Sequence, residues 1–167
     1  GATICKPSNP DCPACPLQKK CFAFNQSLIE DLPVKSKKTA VRKRYFHYIF
    51  FVNKSKVWIR KRTGNDIWQN LYEPFMLEHH APLDIKALLK HDEIKKMRIA
   101  GPDIKFAETV SQRLTHRVIE SNFYISRVIK MPPELPGDGS WVEWDELDNF
   151  AFPKSIVSFL EKKSYFY

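Results

Sequence analysis

From Arg44 the chain takes on a two-residue rhythm. Tyr45 to Val52 is an aromatic and β-branched run, Asn53-Lys54-Ser55 interrupts it, and Lys56-Val57-Trp58-Ile59-Arg60-Lys61 alternates again. Such side chains suit a pleated, half-buried surface, and two runs joined by a short polar turn read as a β-hairpin. Helical spacing returns at Asp84 to His91, where Asp84 is placed to cap and Ile85, Leu88 and Leu89 share a face. Further strands are predicted at Ile104 to Val110, at Arg117 to Ile129 and, briefly, at Trp141 to Trp144. Pro153 opens a last helix carrying Ile156, Val157, Phe159 and Leu160 at helical spacing. Ahead of the hairpin, residues 22–32 predict a short helix ended by Pro33, and Pro33 to Thr39 is basic and aperiodic, as a linker would be. The pattern predicts an α+β fold, a mixed sheet with helices on its faces. The longest apolar run, around Tyr48 to Val52, is far too short to cross a membrane, so no membrane partner is expected.

Charge divides the chain unevenly. Residues 1–63 hold fourteen Lys and Arg against three acids, whereas residues 64–167 hold thirteen against sixteen, so the net +8 resides in the N-terminal part. Basic residues interleaved with aromatics, as in Arg42-Lys43-Arg44-Tyr45-Phe46-His47-Tyr48, suit a phosphate backbone, with a lysine-rich soluble surface as the plainer reading.

Four cysteines, Cys5, Cys12, Cys15 and Cys21, fall within the first twenty-one residues, and none occurs later. Thiolates select zinc, copper(I) or iron-sulfur clusters, and four of them complete the ligand set of one [4Fe-4S] cluster. Structural zinc remains an alternative, although it more often uses two Cys-x-x-Cys pairs set far apart. Disulfides would need an oxidising compartment, for which the sequence shows no apolar signal stretch. Pro7, Pro10, Pro13 and Pro16 deny this segment regular helix. The expected organisation is a cluster loop over 1–25, a linker over 26–43 and a globular domain over 44–167. Lys6, Lys19 and Lys20 in the loop and Lys35, Lys37 and Lys38 in the linker are candidate DNA-backbone contacts.

The cysteine spacing, C-x6-C-x2-C-x5-C, resembles the cluster loop of endonuclease III-type DNA glycosylases. Leu32-Pro33-Val34-Lys35, the segment from Arg62 through Trp68 to Phe75, Leu114-Thr115-His116 and the stretch from Trp141 to Pro153 then follow in the order of the C-terminal part of MutY-family adenine DNA glycosylases. There they resemble the interdomain entry, the arginine-glycine-tryptophan segment, the F-S-H loop and the closing A-F-P stretch. Tyr72 stands where that family usually has tryptophan, Glu73-Pro74-Phe75 transposes its E-F-P, and Met76 to His80 replaces its lysine-glycine stretch. The resemblance implies an α/β/α Nudix-like domain preceded by a small four-cysteine cluster module carrying [4Fe-4S] on Cys5, Cys12, Cys15 and Cys21. It further implies an intracellular C-terminal piece, in the cytoplasm or nucleoid if bacterial, that follows a helical domain holding the excising acid and is inactive alone. Its partner would be double-stranded DNA containing 8-oxoguanine opposite the adenine to be excised. Leu114, Thr115 and His116 would meet the lesion: the N7 position of 8-oxoguanine donates where guanine accepts, and a Thr hydroxyl can accept that hydrogen.

A Nudix hydrolase needs several carboxylates on one helix face to hold magnesium against a diphosphate. No R-E-x-x-E-E occurs here, and Asp84 to His91 offers one acid and two lysines, so the domain is expected to bind rather than hydrolyse. Glu78-His79-His80 reads as a solvated loop rather than a metal site, and Trp58, Trp68, Tyr72, Trp141 and Trp144 as core rather than base-stacking residues. The rival readings are a zinc-loop adaptor that binds nucleic acid or protein, and a diverged Nudix hydrolase.

Overall fold

The computed structural model describes residues 3–6, 8–32, 34, 41–97, 103–129, 135 and 137–162. The chain forms two compact units, 1–40 and 41–167.

In the first unit, local bonds fold the cysteine segment: Asp11 N–H donates to the Ile4 carbonyl (3.0 Å), Cys15 N–H to that of Cys12 (3.1 Å), and Ala14 N–H to Asp11 Oδ1 (3.3 Å). A 3-10 turn over Gln18–Lys20 leads into α1, Phe22–Asn25. This helix is much shorter than the predicted 22–32. Leu28 N–H returns to the Ala23 carbonyl (2.8 Å) and Ser27 N–H to that of Phe24 (3.2 Å), around a left-handed Ser27 at φ 54°. That is a Schellman cap with serine where glycine is usual, and it closes the helix well before Pro33.

The second unit is built on one mixed sheet. Its strands are β1 (Arg42–Asn53), β2 (Lys56–Lys61), β3 (Tyr72–Glu73), β4 (Phe75–His79), β5 (Asp103–Arg113), β6 (Arg117–Arg127) and β7 (Gly139–Glu143). The predicted hairpin is present, with Lys54 left-handed (φ 51°) at its turn. The principal path runs β3-β2-β1-β6-β5, with β4 paired to β1 and β7 to β2. Among the described strands only β1 and β6 run parallel, in continuous register from Arg42↔Arg117 to Val52↔Arg127. β1 therefore lies in the middle, and every residue from Phe46 to Asn53 is buried.

That unbroken burial follows from cover on both faces. Phe46, Tyr48, Phe50, Ile119 and Phe123 point to one side and pack with Leu147, Ile156 and Phe159, the last two from α4 (Lys154–Leu160). Ile49, Phe51, Phe75, Leu77 and Tyr124 point to the other and pack with Leu88 of α2 (Ile85–Lys90) and Ile94 of α3 (Asp92–Lys96). The rings of Phe123 and Phe159 stack at 4.3 Å, a contact worth about 1 kcal/mol beyond area burial. Asp84 caps α2 as expected, its Oδ1 accepting from Ala87 N–H at 2.7 Å.

Several boundaries depart from the sequence reading. β1 begins at Arg42 because Arg42 N–H finds the His116 carbonyl (3.3 Å) and the β6 ladder starts there. β5 continues to Arg113 and β6 stops at Arg127. The segment read as a loop around Glu78-His79-His80 is largely strand, since β4 alternates buried Phe75 and Leu77 with less buried Met76 and Glu78. The aromatic residues expected in the core do pack there: Trp58 is buried, and Trp68, Tyr72, Trp141 and Trp144 lie partly buried against the two clusters.

Candidate nucleic-acid interface and cysteine module

Leu114, Thr115 and His116 form the tip of the β5–β6 hairpin. Leu114 N–H bonds to the Arg117 carbonyl (2.8 Å), closing a turn whose two outermost residues are Thr115 and His116. Leu114 packs against the hydrophobic cluster, whereas Thr115 and His116 are exposed. Two exposed polar residues thus stand at the end of a turn whose base is pinned. Arg113, Arg42 and Lys43 are exposed on the neighbouring strand ends, so cationic side chains frame the tip.

Behind the tip lies a charge network that the sequence reading missed. Arg44 donates from Nη1 and Nη2 to the two oxygens of Asp66 (2.8 and 2.5 Å) and from Nε and Nη2 to those of Glu78 (2.6 and 2.7 Å). Arg117 Nη1 reaches Asp66 Oδ1 at 3.1 Å. Buried Glu73 accepts from Arg60 Nε (3.1 Å) and from Arg62 Nη1. Arg62 also lies 3.6 Å from Asp66. The hydrogen bonds from Arg44 hold the Asp66 carboxyl well below the usual carboxylate range, and those to Glu78 and Asp66 raise Arg44 further. The arginines of the network come from β1 (Arg44), from the end of β2 and just beyond it (Arg60, Arg62) and from β6 (Arg117). Their carboxylate partners came from distant segments and had no local signal. Beside the network, Arg60, Arg62, Asp66, Glu73, Gly137 and Asp138 line much of a cleft of about 330 Å³.

One other sequence reading changes in part. Glu78 is solvent-exposed as expected, but it lies on a strand and pairs with Arg44 rather than sitting in a loop. His79 accepts from or donates to the Ala81 backbone through Nδ1, with the His80 ring 4.0 Å away. The His79–His80–Glu78 cluster is not arranged as a metal-ligand set.

In the N-terminal unit, all four cysteines line one hollow of about 40 Å³, together with Ile4, Pro10 and Phe24. Burial, then the neighbouring thiols Cys21, Cys15 and Cys5, then Asp11, push the Cys12 thiol up. A bound cation reverses that order by deprotonating the thiols that ligate it. Four convergent sulfurs with apolar neighbours fit a soft-metal centre, although among the described residues no three ligands are already drawn into a coordination set. Lys6, Lys19 and Lys20 are exposed on this unit, whereas Lys35, Lys37 and Lys38 lie outside the described residues.

The Nudix domain model matches residues 47–162, and the chain belongs to the Nudix domain family. By sequence it is 36% identical over 72 residues to the adenine DNA glycosylase of Buchnera aphidicola subsp. Schizaphis graminum, covering 43% of this chain and 21% of that protein. The match therefore spans about a fifth of that relative's length. By fold it is similar to the C-terminal domain of mouse MUTYH, solved in complex with human PCNA, with TM-score 0.56, 17% identity and coverage of 74% of this chain and 90% of that one. It is also similar to the MutT protein of Methanosarcina mazei Go1, with TM-score 0.54, 15% identity and coverage of 76% and 95%. The expected Nudix-like α+β fold is borne out, as is the kinship with adenine DNA glycosylases.

Proposed function

We propose that this chain is the lesion-reading, C-terminal part of a MutY-type adenine DNA glycosylase: its Nudix-like domain recognises 8-oxoguanine opposite adenine while an upstream helical domain excises the adenine. The observation that carries the reading is the Thr115–His116 tip, exposed at its end and fastened at its base, in a chain with adenine DNA glycosylases among its relatives. Thr115 supplies the acceptor for the lesion's N7 hydrogen, Leu114 anchors the turn, and His116 stands beside it. Lys6, Lys19, Lys20, Lys35, Lys37 and Lys38 supply the salt-dependent attraction to phosphate. Cys5, Cys12, Cys15 and Cys21 hold a [4Fe-4S] cluster, which when bound would cross-link the loop that presents the first three of these lysines. The chain alone excises nothing.

Binding to duplexes that pair adenine with 8-oxoguanine or with guanine tests the reading. One lesion-specific hydrogen bond is worth about 1 kcal/mol net, roughly five-fold in affinity. Thr115→Val keeps the shape and deletes the acceptor, so it should erase most of that preference while leaving the salt dependence intact. An unchanged preference in Thr115→Val would end the recognition role of this tip.

A further inference from the structure

We infer that Asp66 is a positioning residue for the Thr115–His116 tip, acting through Arg117; the inference rests on the recognition reading above. Arg117 follows the tip directly, its carbonyl closes the turn onto Leu114, and its guanidinium is tied to Asp66 at 3.1 Å. Asp66 is the only ion-pair partner of Arg117 among the described residues, whereas Arg44 has Glu78 as well.

The support behind Asp66 is itself fixed. Its loop is closed by Arg62 N–H to the Leu71 carbonyl (2.9 Å) and Asn70 N–H to that of Arg62 (2.8 Å), and Trp68 packs edge-on against buried Phe46 at 5.9 Å. Arg44 lies over the same Phe46 ring, 4.9 Å from its centre. The tip is thus braced by a carboxylate whose own position is set by β1, β2 and the core. A reading group must be held to within about half an ångström of its productive place, and a two-residue turn has few contacts of its own to achieve that.

A purely structural role predicts something different from a positioning role. Loss of structure weakens binding to every duplex alike, whereas loss of positioning removes the preference for 8-oxoguanine and spares the phosphate-driven part of the affinity. Asp66→Asn and Arg117→Gln should each reduce the roughly five-fold preference expected from one hydrogen bond to about two-fold or less. Affinity for the guanine duplex should stay within about two-fold of the parent, because the six lysines assigned to phosphate and the cations that frame the tip are left unchanged. Either change combined with Thr115→Val should lower the ratio no further, since both act on one contact. Arg117→Lys keeps a cation within reach of Asp66 and should restore part of the preference.

The experiment is fluorescence-anisotropy titration of the 167-residue chain and these variants with both duplexes at three salt concentrations, with thermal melting of each variant. If Asp66→Asn fails to fold, Arg117→Gln decides the matter alone, because it leaves the Arg44–Asp66 pair in place. A full preference in folded Arg117→Gln overturns the inference. So does equal weakening of both duplexes with a flatter salt slope, which would make Arg117 a phosphate contact. If Thr115→Val itself keeps the preference, the recognition reading has failed; if Thr115→Val loses it and Arg117→Gln does not, only the positioning role has.

Discussion

His47 sits in the middle of β1 with no exposed surface, its Nδ1 3.3 Å from the Tyr124 hydroxyl and its ring facing the side that carries His79 and His91. Burial, with a smaller push from the two neighbouring imidazoles and an opposing pull from the Ala81 carbonyl, lowers its pKa from 6.5 to about 4. The unfolded chain therefore binds a proton that the folded chain refuses between about pH 6.5 and pH 4, and stability must fall as pH falls through that window. At about 1.4 kcal/mol per pH unit, His47 costs the fold about 2 kcal/mol by pH 5 and about 3 by pH 4, and nothing near pH 7.5. His47→Phe keeps a flat ring and removes the titration. Urea unfolding, followed by the tryptophans that all lie in the Nudix-like unit, should give the parent a steep loss of stability from pH 6.5 to pH 4.5 and the variant a shallower one. The Asp66 carboxyl adds a loss in the same direction at lower pH, since its depressed pKa stabilises the fold until it is protonated. Parallel profiles for parent and variant across pH 6.5 to 4.5 would show that burial leaves the His47 equilibrium untouched.

Gly139→Ala would place a Cβ 2.2 Å from Cζ2 of buried Trp58 and 2.8 Å from the Ile59 carbonyl, so it should lower stability by about 1–3 kcal/mol or more and shift tryptophan emission; an unchanged melting curve would contradict that packing. Glu73→Ala leaves Arg60 and Arg62 without their shared buried carboxylate and should cost about 3–5 kcal/mol in chemical denaturation. Magnesium-dependent hydrolysis of nucleoside triphosphates should stand at background in the parent, and a turnover that Glu73→Gln or Glu78→Gln abolished would reveal a diverged active site. Purified anaerobically with iron available, the chain should carry about four iron and four sulfide, and Cys15→Ser should lose the chromophore; stoichiometric zinc without sulfide would replace the cluster reading with the adaptor one.

The parts of the fold that were legible in the sequence are those where one short window holds the whole cause. The β1–β2 hairpin follows from its aromatic run and polar turn, α2 from Asp84 and a single apolar face, and α4 from Pro153. Where the cause was split between distant segments, the reading stopped short. β4 was missed because its five residues form a strand only by pairing with Tyr45 to Ile49, and because the polar Glu78-His79-His80, which is indeed largely exposed, reads as a loop until that pairing is in place. α1 was overextended because the bond that ends it depends on a left-handed Ser27, a conformation serine seldom announces. The same division holds at the site. The motif that holds the candidate Thr115 is local, whereas the Asp66 network forms only when β1 and β6 bring Arg44 and Arg117 to one place.

The disposition of carboxylates argues for binding over hydrolysis in a way that sequence alone could not. A hydrolytic Nudix helix presents several acids free to hold metal. Here α2 presents Lys86 and Lys90, the acid before it, Asp84, caps it, and the acids after it, Asp92 and Glu93, belong to the first turn of α3 rather than to one face of α2. The acids of the adjacent strands are also engaged: Glu73 is buried between two guanidiniums, and Glu78 is held by two bonds from Arg44. A magnesium ion would have to displace Arg60 and Arg62 from buried Glu73, or Arg44 from exposed Glu78. The carboxylates therefore act as struts: Glu78 fixes Arg44, Arg44 fixes Asp66, and Asp66 fixes Arg117 at the base of the exposed tip. Under the proposed reading, carboxylates that a hydrolase would leave open to metal instead brace the turn that carries Thr115.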